Sequence, residues 1–497
     1  MIKYWILSDK IRGKVFIPKY YNPEIDARLE ELRTTHDLLS MRELLEAGVL
    51  SSDTGHEIGK NAYGTGDIPF VRTSDIANWE IKTAPKQGVS KDIYEEYSTD
   101  QDVQEGDILV VRDGTYLIGT NCFVTKVDKE LVYQSHLLKL RVNRKAALDP
   151  HLLFLALNSR IVQNQFRSFQ FTADIIDTIG ARFFDTILAI PRAETIQTSL
   201  VARTAAALNA RMLGKAFVKY CPVIMQEVLA SGSTAALDRY LSASPDEVVA
   251  LLRQEAVTSE FGEFEHFWLN SDAIKDAILI PKYYEPSIQI ELTKLTPHCE
   301  LVSLGELRDR GIVEYQTGDE IGKLAYGTGR YPFLRTSDFA NWEIKHDPKH
   351  GVAREIYESY AVRQDVRAND ILLVRDGTYL VGSSCIITPE DTSCLFCGGL
   401  FKIRAVQEDV LDPFLLLGLL NSYIVKRQIR TKQFTRDVID TLGNRLDEIM
   451  LPIPKASGTR MAISSAIRNM IESRIAARHT IASLAAELEH GSAALAA

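Results

Sequence analysis

Apolar, β-branched runs of strand length recur through the first part of the chain, each bounded by glycine or aspartate. Ile68 to Arg72, Asp107 to Arg112, Leu117 to Val124 and Leu137 to Val142 are predicted strands. After Asp149-Pro150, where proline suits the first helical turn, the stretch HLLFLALNSRIVQNQF has helical periodicity and predicts one helix. A short apolar run ending in proline, ILAIP from Ile187, predicts a closing strand. The same order returns from Asp412-Pro413 and ends at IMLPIP from Ile449. Beyond Thr459 the pattern changes to a near-heptad stripe of Ile467, Met470, Ile471, Ile475, Ile481, Leu484 and Leu488, which predicts a helix of about 30 residues. Its counterpart from Thr195 carries Ile196, Leu200, Leu208, Met212 and Val218, and Pro222 is expected to break it. Residues 222 to 265 then read as extra short helices, PVIMQEVLASG, TAALDRYLSA and PDEVVALLRQEA.

These recurrences are one duplication. Residues 5 to 192 align without a gap on 268 to 455, at a constant offset of 263 that is the separation of Ile17 from Ile280. IPKYY at Ile17 recurs at Ile280, EIGK at Glu57 recurs at Glu320, and YGTG at Tyr63 recurs at Tyr326. PFVRTSDIANWEIK from Pro69 matches PFLRTSDFANWEIK from Pro332. DILVVRDGTYLIG from Asp107 matches DILLVRDGTYLVG from Asp370, and QFTADIIDTIG from Gln170 matches QFTRDVIDTLG from Gln433. The period is too long for a solenoid. The expected order is domain (1–194), spacer helix (195–221), helical insert (222–265), domain (266–457), spacer helix (458–497). Each domain reads as α/β (α+β), and a pseudo-twofold relation would let the two helices pack antiparallel as a spacer. At about 1.5 Å per residue, such helices span roughly 45 Å, or about one turn of duplex DNA and slightly more.

Composition narrows the class. The chain has 497 residues, 45% hydrophobic and 25% charged, with a net charge of −9. This is ordinary globular composition, which excludes a disordered tail protein, a fibre and a small disulfide scaffold. The acidity is spread along the chain and argues against a protein that coats nucleic acid through a uniform positive field. No run reaches the roughly 18 apolar residues needed to cross a bilayer. The opening MIKYWILSDKIRGK does not read as a signal peptide, so a cytoplasmic location without membrane contact is expected. Six sparse cysteines fit a reducing compartment. Cys394 and Cys397 form a CxxC whose repeat partner has no cysteine, so no metal site is expected.

No phosphate-loop, dinucleotide-binding, HExxH, GxSxG or paired-carboxylate pattern is present, and His36, His56, His136 and His151 have no histidine at their repeat positions. A duplicated catalytic centre is therefore not expected, and three repeated polar clusters remain. Arg72-Thr73-Ser74-Asp75 with Asn78-Trp79, and Arg335-Thr336-Ser337-Asp338 with Asn341-Trp342, stand at a strand exit. Such a loop either reads base edges through arginine and asparagine, or is a turn capped by its aspartate over a core tryptophan. Arg112-Asp113-Gly114-Thr115-Tyr116, repeated as Arg375 to Tyr379 with Thr378 and Tyr379, is either a tight hairpin turn or a DNA-facing loop tip. The third cluster follows the domain helix: Arg160, Arg167, Gln170 and Thr172 become Lys426, Arg427, Arg430, Lys432, Gln433, Thr435 and Arg436, a basic run expected to face phosphate or solvent.

The order of IPKYY, PFVRTSDI, GDILVVRDGT, SHLLKLR, the DP-led helix and a closing strand before a long helix resembles the target recognition domain of type I restriction-modification specificity (S) subunits. Two such domains, each followed by a helix, match that family over nearly the whole chain except the insert. The resemblance implies a non-catalytic reader of double-stranded DNA, with each domain binding half of a bipartite site. It implies methyltransferase (M) subunits that carry S-adenosylmethionine and methylate adenine at N6, and restriction (R) subunits for ATP-driven cleavage in phage defence. No cofactor is expected on this chain. The insert and the irregular first helix depart from the family pattern.

From Glu57 to Cys122 roughly two thirds of positions are identical to their partners, which predicts similar, inverted half-sites. The copies differ most at Gly48 to His56 against Gly311 to Asp319, and at Val132 to His136 against Leu395 to Gly399, where any difference between half-sites is expected to arise. Two other classes stay open: the recognition subunit of another phage-defence complex, and a duplicated protein-interaction adaptor.

Overall fold

The structure, a computed structural model, describes residues 4–8, 11, 15–114, 116–128, 130–173, 176–254, 266–377, 379–436 and 439–490. It mixes helix and strand and forms two units, one of Met1–Leu213 with Ser473–Ala497 and one of Gly214–Glu472.

In the first unit a four-stranded antiparallel sheet has the order Leu50–Thr54, Leu137–Val142, Ile108–Val111, Asn121–Phe123. Ile108–Val111 is buried along its whole length. Ile108 and Val110 join the core beneath the helix Pro150–Asn158, while Leu109 and Val111 join a second core with Val71, Ile76 and Tyr133. A strand covered on both faces must be apolar at every position, which is why this segment shows no alternation. The second core carries a smaller sheet, Gln87–Val89, Ile68–Val71, Val132–Tyr133, whose last pair is parallel. In the second unit the equivalent sheets are ordered Val313–Thr317, Leu400–Ala405, Ile371–Val374, Ser384–Ile386 and Gly351–Val352, Tyr331–Leu334, Leu395–Phe396.

Three expectations change. The run from Leu117 to Val124 is a strand only at Asn121–Phe123, because Leu117 to Thr120 form a turn in which Gly119 takes a left-handed φ of 87°. The single helix after Asp149 is two, Pro150–Asn158 and Arg160–Phe169. Between them Ser159 is extended, and its Oγ accepts from Val162 N to cap the second helix. The break at Pro222 does not occur: one helix runs Glu194–Ser231 with Pro222 inside it. Val218, Tyr220, Cys221, Ile224 and Met225 are buried on either side, so packing overrides the lost amide. Of the insert, PVIMQEVLAS is the end of this helix, while Ala235–Ser242 and Pro245–Gln254 are separate helices. Residues 255–265 lie outside the described residues.

The near-heptad stripe lies on the helix Ser457–His490. Within the first unit its second half runs antiparallel to the start of Glu194–Ser231, since Arg203 meets Glu487 while Arg211 meets Arg474. Leu200, Ala207, Leu208, Ile481, Leu484 and Leu488 all enter the main core of that unit. The two helices hold the domain through a buried ion cluster. Glu80 Oε1 lies 2.5 Å from Arg474 and 3.2 Å from Arg211, and each arginine also donates to the other's carbonyl at 3.2 Å.

Removing the shared carboxylate takes a charge partner from two buried guanidinium groups. Glu80→Ala is therefore expected to lower the unfolding free energy by about 3–5 kcal/mol. Arg203→Ala, which loses a half-exposed ion pair, is expected to cost under about 1 kcal/mol. Urea unfolding of the full chain checks both.

Candidate nucleic-acid interface

The first cluster is a single 3-10 turn, Thr73–Asp75, at the exit of Ile68–Val71. Asp75 is fully buried; its carboxylate accepts from Arg72 N at 3.1 Å and Lys86 N at 3.4 Å and lies 3.6 Å from Arg72 Nε. It is a turn-former, as is Asp338, which accepts from Arg335 N at 2.9 Å. Arg72, Thr73 and Ser74 are half-buried, whereas Arg335 and Ser337 are exposed and Thr336 is half-buried. The asparagines differ from the base-reading expectation. Asn78 and Asn341 are only 3% and 8% exposed and, with Trp79 and Trp342, have left-handed backbone. Trp79 is a core residue whose Nε1 donates to Asn158 Oδ1 at 2.9 Å. These residues shape the turn and leave little asparagine surface for a base edge.

The second cluster is not a tight hairpin. Asp113 bridges to Thr178, and in the second unit Asp376–Gly377 form a strand against Ile439–Thr441. Asp113 accepts from Arg112 Nε and Nη2 at 3.1 and 3.0 Å, from His136 Nδ1 at 3.1 Å and from Thr178 Oγ1. Burial alone would raise its pKa, but the hydrogen bonds from Thr178, His136 and Arg112 outweigh it and hold the carboxyl below its ordinary value. Asp376 accepts from Thr441 Oγ1 at 2.5 Å and lies 3.2 Å from Arg375 Nε. Tyr116 is half-buried and Tyr379 exposed. Thr115 and Thr378 lie outside the described residues, as do the side chains of Thr172 and Arg436.

The third cluster is a two-stranded hairpin that docks on the second. Gln170 Nε2 reaches Asp177 at 2.7 Å, and Gly114 N donates to Asp177 O at 2.9 Å. In the other unit Gln433 and Thr435 both donate to Asp440, at 2.9 and 2.6 Å. Arg167 and Arg430 are exposed, with Arg167 Nη1 3.3 Å from Tyr116 O. The basic run of the second copy is less available than its sequence implies. Arg427 is held by Glu285 and Glu291, Lys426 donates to Gly382 O, and Lys432 sits 3.0 Å from Glu448 and 4.3 Å from the centre of the Tyr283 ring. Two residues escaped the sequence reading. Arg182 and Arg445, also 263 residues apart, stack 4.2 and 4.1 Å from the centres of Phe171 and Phe434 at the hairpin root. Their identical repeat spacing was the available signal.

One loop joins the three clusters. Gln134 N donates to Val71 O at 3.0 Å, beside Arg72, and Arg112 N donates to His136 O at 3.0 Å. Ile179 N donates to Arg112 O at 3.2 Å and ties in the hairpin. In the second unit Cys397 N donates to Leu334 O at 2.9 Å, Arg375 N to Gly399 O at 2.9 Å and Leu442 N to Arg375 O at 3.0 Å. Each unit thus gathers arginine, hydroxyl and amide groups at adjacent strand ends, with its carboxylates already engaged. Such a surface can recognise hydrogen-bonding edges and anionic oxygens.

No family model matches the chain, and no curated protein matches it. Among solved structures it is similar to a type I restriction-modification S subunit from M. genitalium, at 12% identity and a TM-score of 0.34, over 90% of this chain and 92% of that one. It is also similar to the HsdS subunit from Thermoanaerobacter tengcongensis, at 15% identity and a TM-score of 0.28, over 92% and 97%. A third, from work on complex assembly and conformational transition of the type I R-M system, gives 15% identity and a TM-score of 0.27, over 92% and 98%. Scores this low carry no functional argument, which rests instead on the repeat and the geometry of the loop clusters.

Asp113 fastens hairpin, loop and arginine together, so Asp113→Asn is expected to cost about 1–3 kcal/mol of stability at neutral pH. Because the folded carboxyl titrates below its unfolded value of about 3.9, its contribution is present above that pH and fades as pH falls through the folded value. Urea unfolding across a pH series should show wild type and variant converging below about pH 4.

Proposed function

We propose that the chain is the non-catalytic DNA-specificity subunit of a type I-like restriction-modification complex. Each unit reads one half of a bipartite site in double-stranded DNA. The chain thereby directs a partner methyltransferase, which carries S-adenosylmethionine, to adenine N6, and with restriction subunits it takes part in phage defence in the cytoplasm. One observation carries this reading: a constant-offset duplication assembles the same three polar clusters around the same strand ends twice. A bipartite target with two similar, inverted halves asks for two similar readers.

Arg112 and Arg375, Arg72 and Arg335, with Thr73, Ser74, Thr336 and Ser337, are the groups assigned to base edges. Arg167 and Arg430, with Gln170, Gln433 and Thr435 on the hairpins and Tyr116 and Tyr379 beside them, are assigned to the backbone and groove wall. A net charge of −9 gives the chain little capacity to neutralise phosphate, so partners supply most of it. The helices Ala235–Ser242 and Pro245–Gln254, which follow the first copy, are assigned to contact with a partner.

Sequencing modified bases in the native genome, with and without this gene, tests the proposal. The expected result is gene-dependent N6-methyladenine in a bipartite motif with near-palindromic halves. Unrelated halves would overturn the near-palindrome, and an unchanged methylation map would overturn the reading itself. In gel shifts with the methyltransferase present, Arg167→Ala and Arg430→Ala are each expected to weaken binding to all sequences and to reduce the slope of log affinity against log salt by about one.

A further inference from the structure

We propose that one three-residue loop, Gln134-Ser135-His136 in the first unit and Cys397-Gly398-Gly399 in the second, sets the difference between the two half-sites; this rests on the DNA-reading role proposed above. The loop lies where the three clusters meet, and the cluster residues around it are the same in both units; at its edge His56, which bridges Gln134, is Asp319 in the repeat. Arg72, Arg112, Asp113 and Thr178 have the identical residues Arg335, Arg375, Asp376 and Thr441 as partners. The backbone is also the same. The amide of the first loop residue bonds the strand exit at 3.0 and 2.9 Å, the carbonyl of the third accepts from the amide of Arg112 or Arg375 at 3.0 and 2.9 Å, and the loop closes on itself at 2.9 and 3.0 Å. The loop side chains are what changes.

In the first unit those side chains fill the site. His136 donates from Nδ1 to Asp113 at 3.1 Å, and its side chain stays 39% exposed. A carboxylate only accepts, so this imidazole carries its proton on Nδ1 and, when neutral, presents Nε2 as an acceptor. Ser135 Oγ and Gln134 Nε2 both reach Glu57 Oε1, at 2.5 and 3.3 Å. In the second unit the two glycines offer no side chain and Cys397 is buried. Arg375 turns to the space they leave: Nη1 donates to Gly398 O at 3.3 Å, whereas Arg112 spends two nitrogens on Asp113. The first unit thus adds an acceptor beside its arginine, suited to the exocyclic amine of adenine or cytosine, where the second adds none. The first half-site carries a preference at one position, or at two adjacent ones, that the second half-site lacks.

The glycines are not required by backbone geometry. Neither has a left-handed φ, and the nearest atoms a Cβ at Gly398 or Gly399 would meet belong to the side chains of Glu320 and Thr336, at 3.1 and 3.2 Å, with every other neighbour at 3.6 Å or more. The counterpart Glu57 already accommodates Ser135, whose hydroxyl donates to it. The loop can therefore be exchanged in either direction.

The test is selection of bound duplexes from a randomised double-stranded DNA library at low salt, with the partner methyltransferase present. The full chain is compared with a graft (Cys397→Gln, Gly398→Ser, Gly399→His) and with the reverse variant (Gln134→Cys, Ser135→Gly, His136→Gly). The graft is expected to give the second half the preference of the first, and the reverse variant to lose it from the first, each by about tenfold at the affected base pair. The reverse variant removes two side chains and shortens the third, so it decides the matter if the graft misfolds. Motifs unchanged in the reverse variant, or altered at positions unrelated to the wild-type asymmetry, overturn the loop assignment. A wild-type chain that enriches no motif overturns the DNA-reading role, and the loop assignment falls with it.

Discussion

The architecture of each unit depends on a strand with no free face. Ile108–Val111 and its repeat Ile371–Val374 are buried along their whole length. In the first unit, one side of this strand packs toward the domain helix and the other toward the small sheet that carries the Arg72 turn. Two cores share one strand, so displacing it would disturb both. The residue that leaves this strand is Arg112, or Arg375 in the repeat. A strand held on both faces therefore ends in this arginine, which inherits a rigid mount.

Around that arginine, order is maintained by sharing rather than by many separate contacts. Asp113 accepts from a loop histidine, a hairpin threonine and the arginine itself. Glu80 is shared in the same way by one arginine from each long helix. Both carboxylates join segments far apart in sequence, and both are buried beside the groups that donate to them. This is how an acidic chain can present basic and hydroxyl groups outward: many of its acidic groups face inward or are paired.

Much of the fold was legible because the duplication doubles every signal. Leu137–Val142 and Ile187–Pro191 form as their apolar runs predict, and the stripe from Ile467 to Leu488 lies on one continuous helix. Long-range packing set the rest. Pro222 looks like a terminator until its buried neighbours are known, and Ser159 looks helical until its hydroxyl is seen capping the next turn. The helix Lys91–Gln101 is mostly polar, with only Gln101 buried, so its periodicity is weak. In the candidate site the three clusters were visible, but which members face outward was not. Asn78 and Asn341 have the right chemistry for a base edge and the wrong exposure, because a left-handed turn draws them inward. Lys432 and Arg427 look like phosphate ligands until their carboxylate partners, distant in sequence, come into contact.

The loop at the centre of the site is fastened to its strands by the same main-chain hydrogen bonds in both copies. Peptide groups are the same whatever residue carries them, so the fold asks little of the side chains there. Mutation can alter what the loop displays without renegotiating the packing beneath it, and two copies that arose identical can drift apart in what they recognise while keeping one scaffold. On the proposed reading, a backbone that holds and side chains that vary make recognition the most evolvable property of this chain.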